Sequence, residues 1–394
     1  MGADRGAIGI VAIVHPQGRV GITPTLESMI SFLAEQGEDV HLFSLDTPQE
    51  ATHGFTRHAL RAEHPWLGKP AARILSRLWF PVWVWLNQRR LRANLMVAVD
   101  AEGVLGVALA RMLVRTRYAY LSLHMDTVAD RIRRRRYGAA LRLLFVRHTL
   151  RRMEIMITQD SYRRRQLQDA NGLGSDSIEW FLVPNSHRGR AASQESSYYQ
   201  EKFNLPHGEP VVLVAGSIQS DWSHTDFLAE CAAKQDPPVY TLVMQSREHL
   251  DAGGLRKLAA ISHSRALLSP DPVAARERTR AFGSATVGAA IYTNEFYSNQ
   301  TFVGGASGKM MSYLQAGVPV IMLDSPGITE VIREFGCGEI LSELDCDEFN
   351  DLVRKVVADR EGYSARAVQC YNERYEFDHA FRPVYHFVSG GGSL

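Results

Sequence analysis

The residues best equipped to do chemistry stand in one run of the second half: Gly304-Gly-Ala-Ser307-Gly308-Lys309, then Met-Met-Ser-Tyr313-Leu-Gln-Ala-Gly317-Val-Pro319-Val320-Ile321. Glycines let backbone N–H groups approach an anion closely, and a helix that starts there adds the partial positive charge of its N-terminus. Ser307 brings a hydroxyl and Lys309 an ammonium. This set suits a phosphate or diphosphate, although a plainly capped helix with a surface lysine has the same spelling. It is not a Walker A loop, because Ser or Thr does not follow Gly308-Lys309. A second group, Asp100, His124 and Asp126, follows runs that read as buried strands. A carboxylate there could take a proton from a hydroxyl within hydrogen-bond reach. It could equally cap a loop or helix, and the histidine could simply pack at a strand end. Asp345-Cys-Asp347 is spelled like a metal-binding pair of carboxylates, but it precedes Glu348-Phe-Asn-Asp-Leu-Val and reads as a helix N-cap.

The elements that must position these residues alternate. Ile8–Val14 is a continuous apolar run, as in a strand buried on both faces. A loop with Gly18 and Gly21 follows, then Thr23 as N-cap and Pro24 at the first helical position. Leu26, Met29, Ile30 and Leu33 share a helical face, Gly37 closes the helix, and Val40–Leu45 is the next strand. That unit opens a doubly wound parallel sheet. Residues 57–93 read as mostly helical. Further strands are expected at Leu95–Val99, Tyr118–Leu123 and Ile155–Thr158. The stretch 186–200 is polar, and the pattern restarts at Val211–Ala215, continuing through Tyr240–Met244, Ala289–Tyr292 and Val318–Leu323.

The expected fold is therefore α/β, with two Rossmann-like domains whose strand C-termini face a shared cleft. The boundaries are 1–185, a linker at 186–207, a second domain at 208–375, and a C-terminal helix and tail at 376–394 crossing back to the first domain. A chain of 394 residues suits two domains of this size. With 44 basic and 43 acidic side chains the net charge is +1, which does not suggest a general nucleic-acid binder. The four cysteines form no Cys-x-x-Cys pair, so a disulfide scaffold or zinc ribbon is not expected and a reducing, cytoplasmic setting is. Ile8–Val14 is too short for a signal peptide, and the apolar stretch Leu78 to Leu86 is broken by Pro81. Only six basic residues are lysine; nine arginines crowd residues 131–152, with aromatic residues nearby at 78–86. This pattern fits peripheral contact with an anionic membrane, and also a helix with one packed and one solvated face.

At this point the chain resembles a known family. The run Ser307–Ile321, then Asp324-Ser-Pro-Gly327-Ile-Thr-Glu330-Val-Ile and Gly336-Cys-Gly338, looks like the donor-side segment of GT-B glycosyltransferases. It is closest to their large, mostly retaining bacterial hexosyltransferase family (group 1-like). Pro184-Asn185-Ser186 resembles the family hinge, Val212–Gly216 its first nucleotide-domain strand and loop, and Gly18 and Gly21 its N-domain glycine loop. The likeness spans most of the chain. It implies an enzyme of the hexosyltransferase class (EC 2.4), active in polysaccharide, glycolipid or natural-product biosynthesis. Such an enzyme moves a hexose-type sugar from a nucleotide-diphosphate donor to a hydroxyl acceptor, with no cofactor or metal required. It also implies donor binding by Gly216, Ser217, Ser307, Gly308 and Lys309, with Gly18 and Gly21 lining the opposite wall, while Arg247 and Glu295 would stand in for family residues that this chain lacks. His124 would contact the sugar, and Asp126 or Asp100 would serve as base if the reaction inverts. Departures exist: Gly304 and Ser312 replace the two family glutamates, and Gly216-Ser217 and the stretch near Trp222-Ser223-His224 lack the usual Arg and Lys. Two other readings therefore stay open, a binding partner or activator of another transferase and a nucleotide-sugar 2-epimerase.

Overall fold

Strands with no polar face must be covered on both sides, and the chain meets that demand twice. The computed structural model describes residues 7–18, 20–21, 23–45, 54–60, 69–125, 127–133, 135–174, 178–216, 218, 223–292 and 298–390. It divides into two units, Met1–Arg188 with Phe377–Leu394, and Gly189–Glu376.

The first unit holds a seven-stranded parallel sheet made of β1 (Ile10–Val14), β2 (Asp39–Ser44), β3 (Thr56–Ala59), β4 (Leu95–Val99), β5 (Arg117–Leu121), β6 (Ile155–Thr158) and β7 (Glu179–Leu182). Their order is β3-β2-β1-β4-β5-β6-β7. One face is covered by helix Pro24–Glu35 and the C-terminal helix Phe377–Val388, whose Phe381, Val384 and Tyr385 join Leu26, Met29 and Phe32 in one apolar cluster. The other is covered by helices Lys69–Leu91, Asp100–Leu113 and Tyr137–Leu150 through Phe80, Val84, Val107 and Val146. The C-terminal helix thus crosses back into the first unit, where Tyr385 donates to Glu38 at 2.7 Å.

The second unit holds a six-stranded parallel sheet of β8 (Val211–Gly216), β9 (Thr241–Ser246), β10 (Ala266–Ser269), β11 (Val287–Ala289), β12 (Val320–Leu323) and β13 (Gly338–Leu341). Its order, β10-β9-β8-β11-β12-β13, is the 3-2-1-4-5-6 arrangement of a Rossmann sheet, and the first six strands of the other unit repeat it. The helix register is locally determined: Ser307 caps Gly308–Gln315, and Gly317, at φ +71°, turns the chain into β12.

Three local features differ from the sequence reading. β3 forms within the stretch expected to be helical; as an edge strand of Thr, Arg, His and Ala it carries no apolar run to announce it. Helix Lys69–Leu91 continues through Pro81 rather than breaking there. Cys231 and Cys346, 115 residues apart, are joined in a disulfide, while Cys337 and Cys370 are buried thiols. A reducing setting predicts free thiols, and no local spacing signals a pair so far apart in sequence. The stretch expected to link the domains includes helix Tyr198–Phe203, which belongs to the second unit and places Tyr199, fully buried, in its core. Among the described residues no helix is long and apolar enough to cross a membrane.

Candidate functional site

In an open parallel sheet, ligands bind beyond the strand C-termini where the strand order reverses. In the second unit that point lies between β8 and β11, and it gathers most of the donor-side residues singled out in the sequence. β8 ends at Gly216, whose φ is +111°. Its carbonyl accepts the Arg247 N–H at 3.1 Å, which fixes the start of the loop after β9. A Cβ at Gly216 would lie 2.8 Å from Cε of Lys309, so the absent side chain is what lets the lysine stem cross the strand end. Lys309 Nζ stands 5.6 Å from the ring centroid of Tyr292, which follows β11.

Ser307 is 2% exposed and does two things with one oxygen. It accepts the Met310 N–H at 3.1 Å, capping helix Gly308–Gln315, and it lies 2.8 Å from the Tyr292 hydroxyl. Burial pushes the Tyr292 phenol up to about 12, against the Ser307 bond and the charge of Arg247. Lys309 is half-buried. Loss of solvation, and after it the charge of Arg247, push its ammonium down to about 7. Arg247 itself is exposed, with Nε 3.3 Å from Glu248. The result is a helix N-terminus, two cations and a hydroxyl pair collected at one strand crossover, an arrangement that favours an anion.

Tyr313 builds the floor beneath this point. β11 pairs with β8 only as far as Gly288 opposite Leu213. Beyond that register the Tyr313 hydroxyl takes over the ladder, accepting from Ala215 N–H at 2.9 Å and donating to Leu213 O at 2.8 Å. The ring fits because residue 288 is glycine: a Cβ there would lie 2.3 Å from Tyr313 Cγ.

In the first unit the corresponding reversal lies between β1 and β4. Asp100 follows β4 at φ +56°. Its Oδ1 accepts the N–H groups of Leu123 and His124 at 2.7 and 2.8 Å, and its Oδ2 lies 2.7 Å from His124 Nδ1. Burial alone would raise the Asp100 carboxyl. The hydrogen bonds and charge of His124, with a smaller pull from His15, outweigh it and hold the carboxyl below its ordinary range. The imidazole is about two-thirds exposed. Below it, buried Arg163 donates to Leu123 O at 3.1 Å and Gln159 Oε1 at 2.7 Å, and Gln159 donates to Ser122 O. The loop after β1 turns at Gly18, φ +64°, whose N–H donates to His15 O at 2.9 Å; Gly21 is half-buried in the same loop.

The structure therefore joins Asp100 to His124 in one unit, and Gly216, Arg247, Ser307, Gly308 and Lys309 in the other. Asp126, Ser217 and Glu295 lie outside the described residues. Asp345 accepts the Glu348 N–H at 2.8 Å as an N-cap. Asn185 accepts from Thr25 N–H and Oγ1 at 3.1 and 2.9 Å, tying the Pro184-Asn185-Ser186 segment to the start of helix Pro24–Glu35. Sequence reasoning missed Tyr292, Tyr313 and Arg163. Only Tyr292 carried a usable signal, a hydroxyl at the end of an apolar run on the ligand-binding edge.

Two parallel sheets of this order match the two-domain GT-B fold of solved structures. Sucrose-phosphate synthase from Thermosynechococcus elongatus matches with a TM-score of 0.75 at 13% identity, over 98% of this chain and 100% of that one. HepE from Anabaena, solved with UDP-glucose, matches at 0.72 and 12% identity over 97% and 99%. WaaG, a glycosyltransferase involved in lipopolysaccharide biosynthesis, matches at 0.66 and 13% identity over 97% and 100%. No protein-family model and no curated protein matches the chain.

Proposed function

We propose that this chain is a glycosyltransferase that moves a hexose-type sugar from a nucleotide-diphosphate donor to a hydroxyl acceptor without a metal. One observation carries the reading: Lys309 packed over Gly216 at the strand reversal of the second sheet, beside the capped start of helix Gly308–Gln315. The diphosphate would lie against that helix start. As the glycosidic bond to the donor breaks, negative charge builds on the leaving phosphate. Lys309, Arg247 and the helix terminus are positioned to stabilise it, which is the work a cation does in metal-dependent transferases. The first unit takes the acceptor. His124, oriented by Asp100, keeps the role the resemblance implies, contact with the donor sugar. With all of its oxygens engaged, Asp100 suits positioning better than proton abstraction.

HepE was solved with UDP-glucose, so UDP-sugars are the first donors to try. The test is nucleotide release from a panel of UDP-, GDP-, TDP- and ADP-sugars. Release that falls on Lys309→Ala supports the reading, whereas kinetics unaffected by that change refute the lysine's role. One observation favours the binding-partner reading: Ser312, at a family glutamate position, donates its hydroxyl to Gly308 O at 2.8 Å and offers no carboxylate. Nucleotide binding without any release would select it.

A further inference from the structure

A helix that packs on a sheet with one face normally turns polar residues outward. Two helices of the first unit do not. Helix Tyr137–Leu150 sends Leu143, Val146 and Leu150 into the core, yet Leu141, Leu144 and Phe145, at i, i+3 and i+4, form a second apolar stripe in solvent, with Leu141 69% exposed. Helix Lys69–Leu91 buries Phe80 and Val84 and exposes Leu75, Leu78 and Trp79, with Leu78 at 71%.

The exposed stripe of helix Lys69–Leu91 sits in its N-terminal half, and that of helix Tyr137–Leu150 at its middle. The helices connect β3 to β4 and β5 to β6 in a parallel sheet, so each starts at the strand C-terminal edge, the edge that carries Asp100 and His124. Arg133, Arg135, Arg136 and Arg142 are exposed beside the second stripe. The chain has 43 acidic residues, but neither 69–91 nor 131–152 contains one. Scattered exposed leucines would be ordinary; two stripes on helices that carry cations and no carboxylate are not.

We infer that this face docks on an anionic phospholipid bilayer. Leu75, Leu78, Trp79, Leu141, Leu144 and Phe145 enter the headgroup–acyl boundary, and the arginines pair with lipid phosphates. An apolar stripe rimmed by arginine complements that surface in both polarity and charge. The docking lays this helix layer of the first unit on the lipid, and it does not depend on the sugar-transfer reading.

The experiment is flotation of the full chain with phosphatidylcholine vesicles, with and without phosphatidylglycerol. Expected is binding that requires phosphatidylglycerol, weakens with salt, and drops roughly fivefold for each arginine removed in R133Q/R136Q. L78E/F145E, at two solvent-facing positions, should abolish it with the thermal midpoint unchanged. Should that variant unfold, brominated acyl chains must still quench the fluorescence component that W79F removes. Absence of binding to anionic vesicles overturns the inference, as does a Trp79 component that bromine leaves unquenched. Self-association abolished by L78E/F145E, without lipid binding, overturns it too and assigns the face to a second copy.

Discussion

Asp100 Oδ2 lies 2.7 Å from Nδ1 of His124, while Oδ1 of the same carboxylate holds the backbone N–H groups of Leu123 and His124. One side chain thus sets the loop after β5 and the orientation of the imidazole it carries.

Asp100→Asn isolates the charge. Asparagine tolerates the positive φ of this position better than most residues, so backbone strain changes little. The expected result is a loss of about 1–3 kcal/mol at neutral pH. Because the folded carboxyl titrates below its unfolded value, its contribution is present above the unfolded pKa and fades as pH falls through the folded one. The gap between wild type and variant should therefore narrow in acid, as measured by denaturant unfolding across pH. If turnover is found, it should fall roughly tenfold to a hundredfold.

Gly216→Ala removes no chemical group, yet its Cβ would meet Lys309 Cε at 2.8 Å on a backbone with φ +111°. The lysine stem must move. Nucleotide affinity should fall about as far as in Lys309→Ala, by roughly tenfold to a hundredfold. Titration calorimetry of both variants checks this, and unimpaired binding in Gly216→Ala would show that the packing is irrelevant to the ligand.

Lys309 has the same sign of linkage as Asp100, since its pKa is also lower folded than unfolded, but here the charged form is the one that costs stability. Its folded pKa, about 7, lies below the unfolded value of a lysine, so below pH 7 the fold carries a poorly solvated charge. That penalty shrinks as pH rises from about 7 toward the unfolded pKa. Lys309→Met should stabilise the protein at pH 6–7 by on the order of 1 kcal/mol, discounted for its partial exposure, with the gain vanishing in alkali. A thermal-unfolding series across pH reads it directly, and a destabilised variant at pH 6 would contradict it.

Tyr313→Phe leaves Ala215 N–H and Leu213 O without the hydroxyl that serves both. The expected cost is about 2 kcal/mol, with amide exchange accelerated at Ala215.

Much of this architecture was legible because burial on both faces writes apolar runs: β1, β4, β8 and β9 read as strands from residues such as Val11–Val14 and Val211–Ala215. The donor-side run was legible for another reason. A cap, a helix and a closing glycine are all local, so Ser307, Lys309 and Gly317 announce themselves. What stayed hidden depends on distance. The Asp100–His124 bond spans 24 residues, and Tyr313 reads as one apolar position on a helix until β8 is folded against it. β3 has no apolar run because it is an edge strand, and the Cys231–Cys346 link crosses 115 residues.

The central claim is that Lys309 and the helix start beside it hold a diphosphate, and titration of UDP, GDP, TDP and ADP into the wild-type chain at pH 6 and pH 8 tests it most directly. At pH 8 the ammonium is mostly deprotonated before binding, so the account predicts saturable binding of at least one nucleotide with proton uptake approaching one per site. That uptake, read from buffers of different ionisation enthalpy, should vanish at pH 6 and in Lys309→Ala. Failure to bind any of the four nucleotides, or binding with the same affinity and proton uptake in Lys309→Ala, would contradict it.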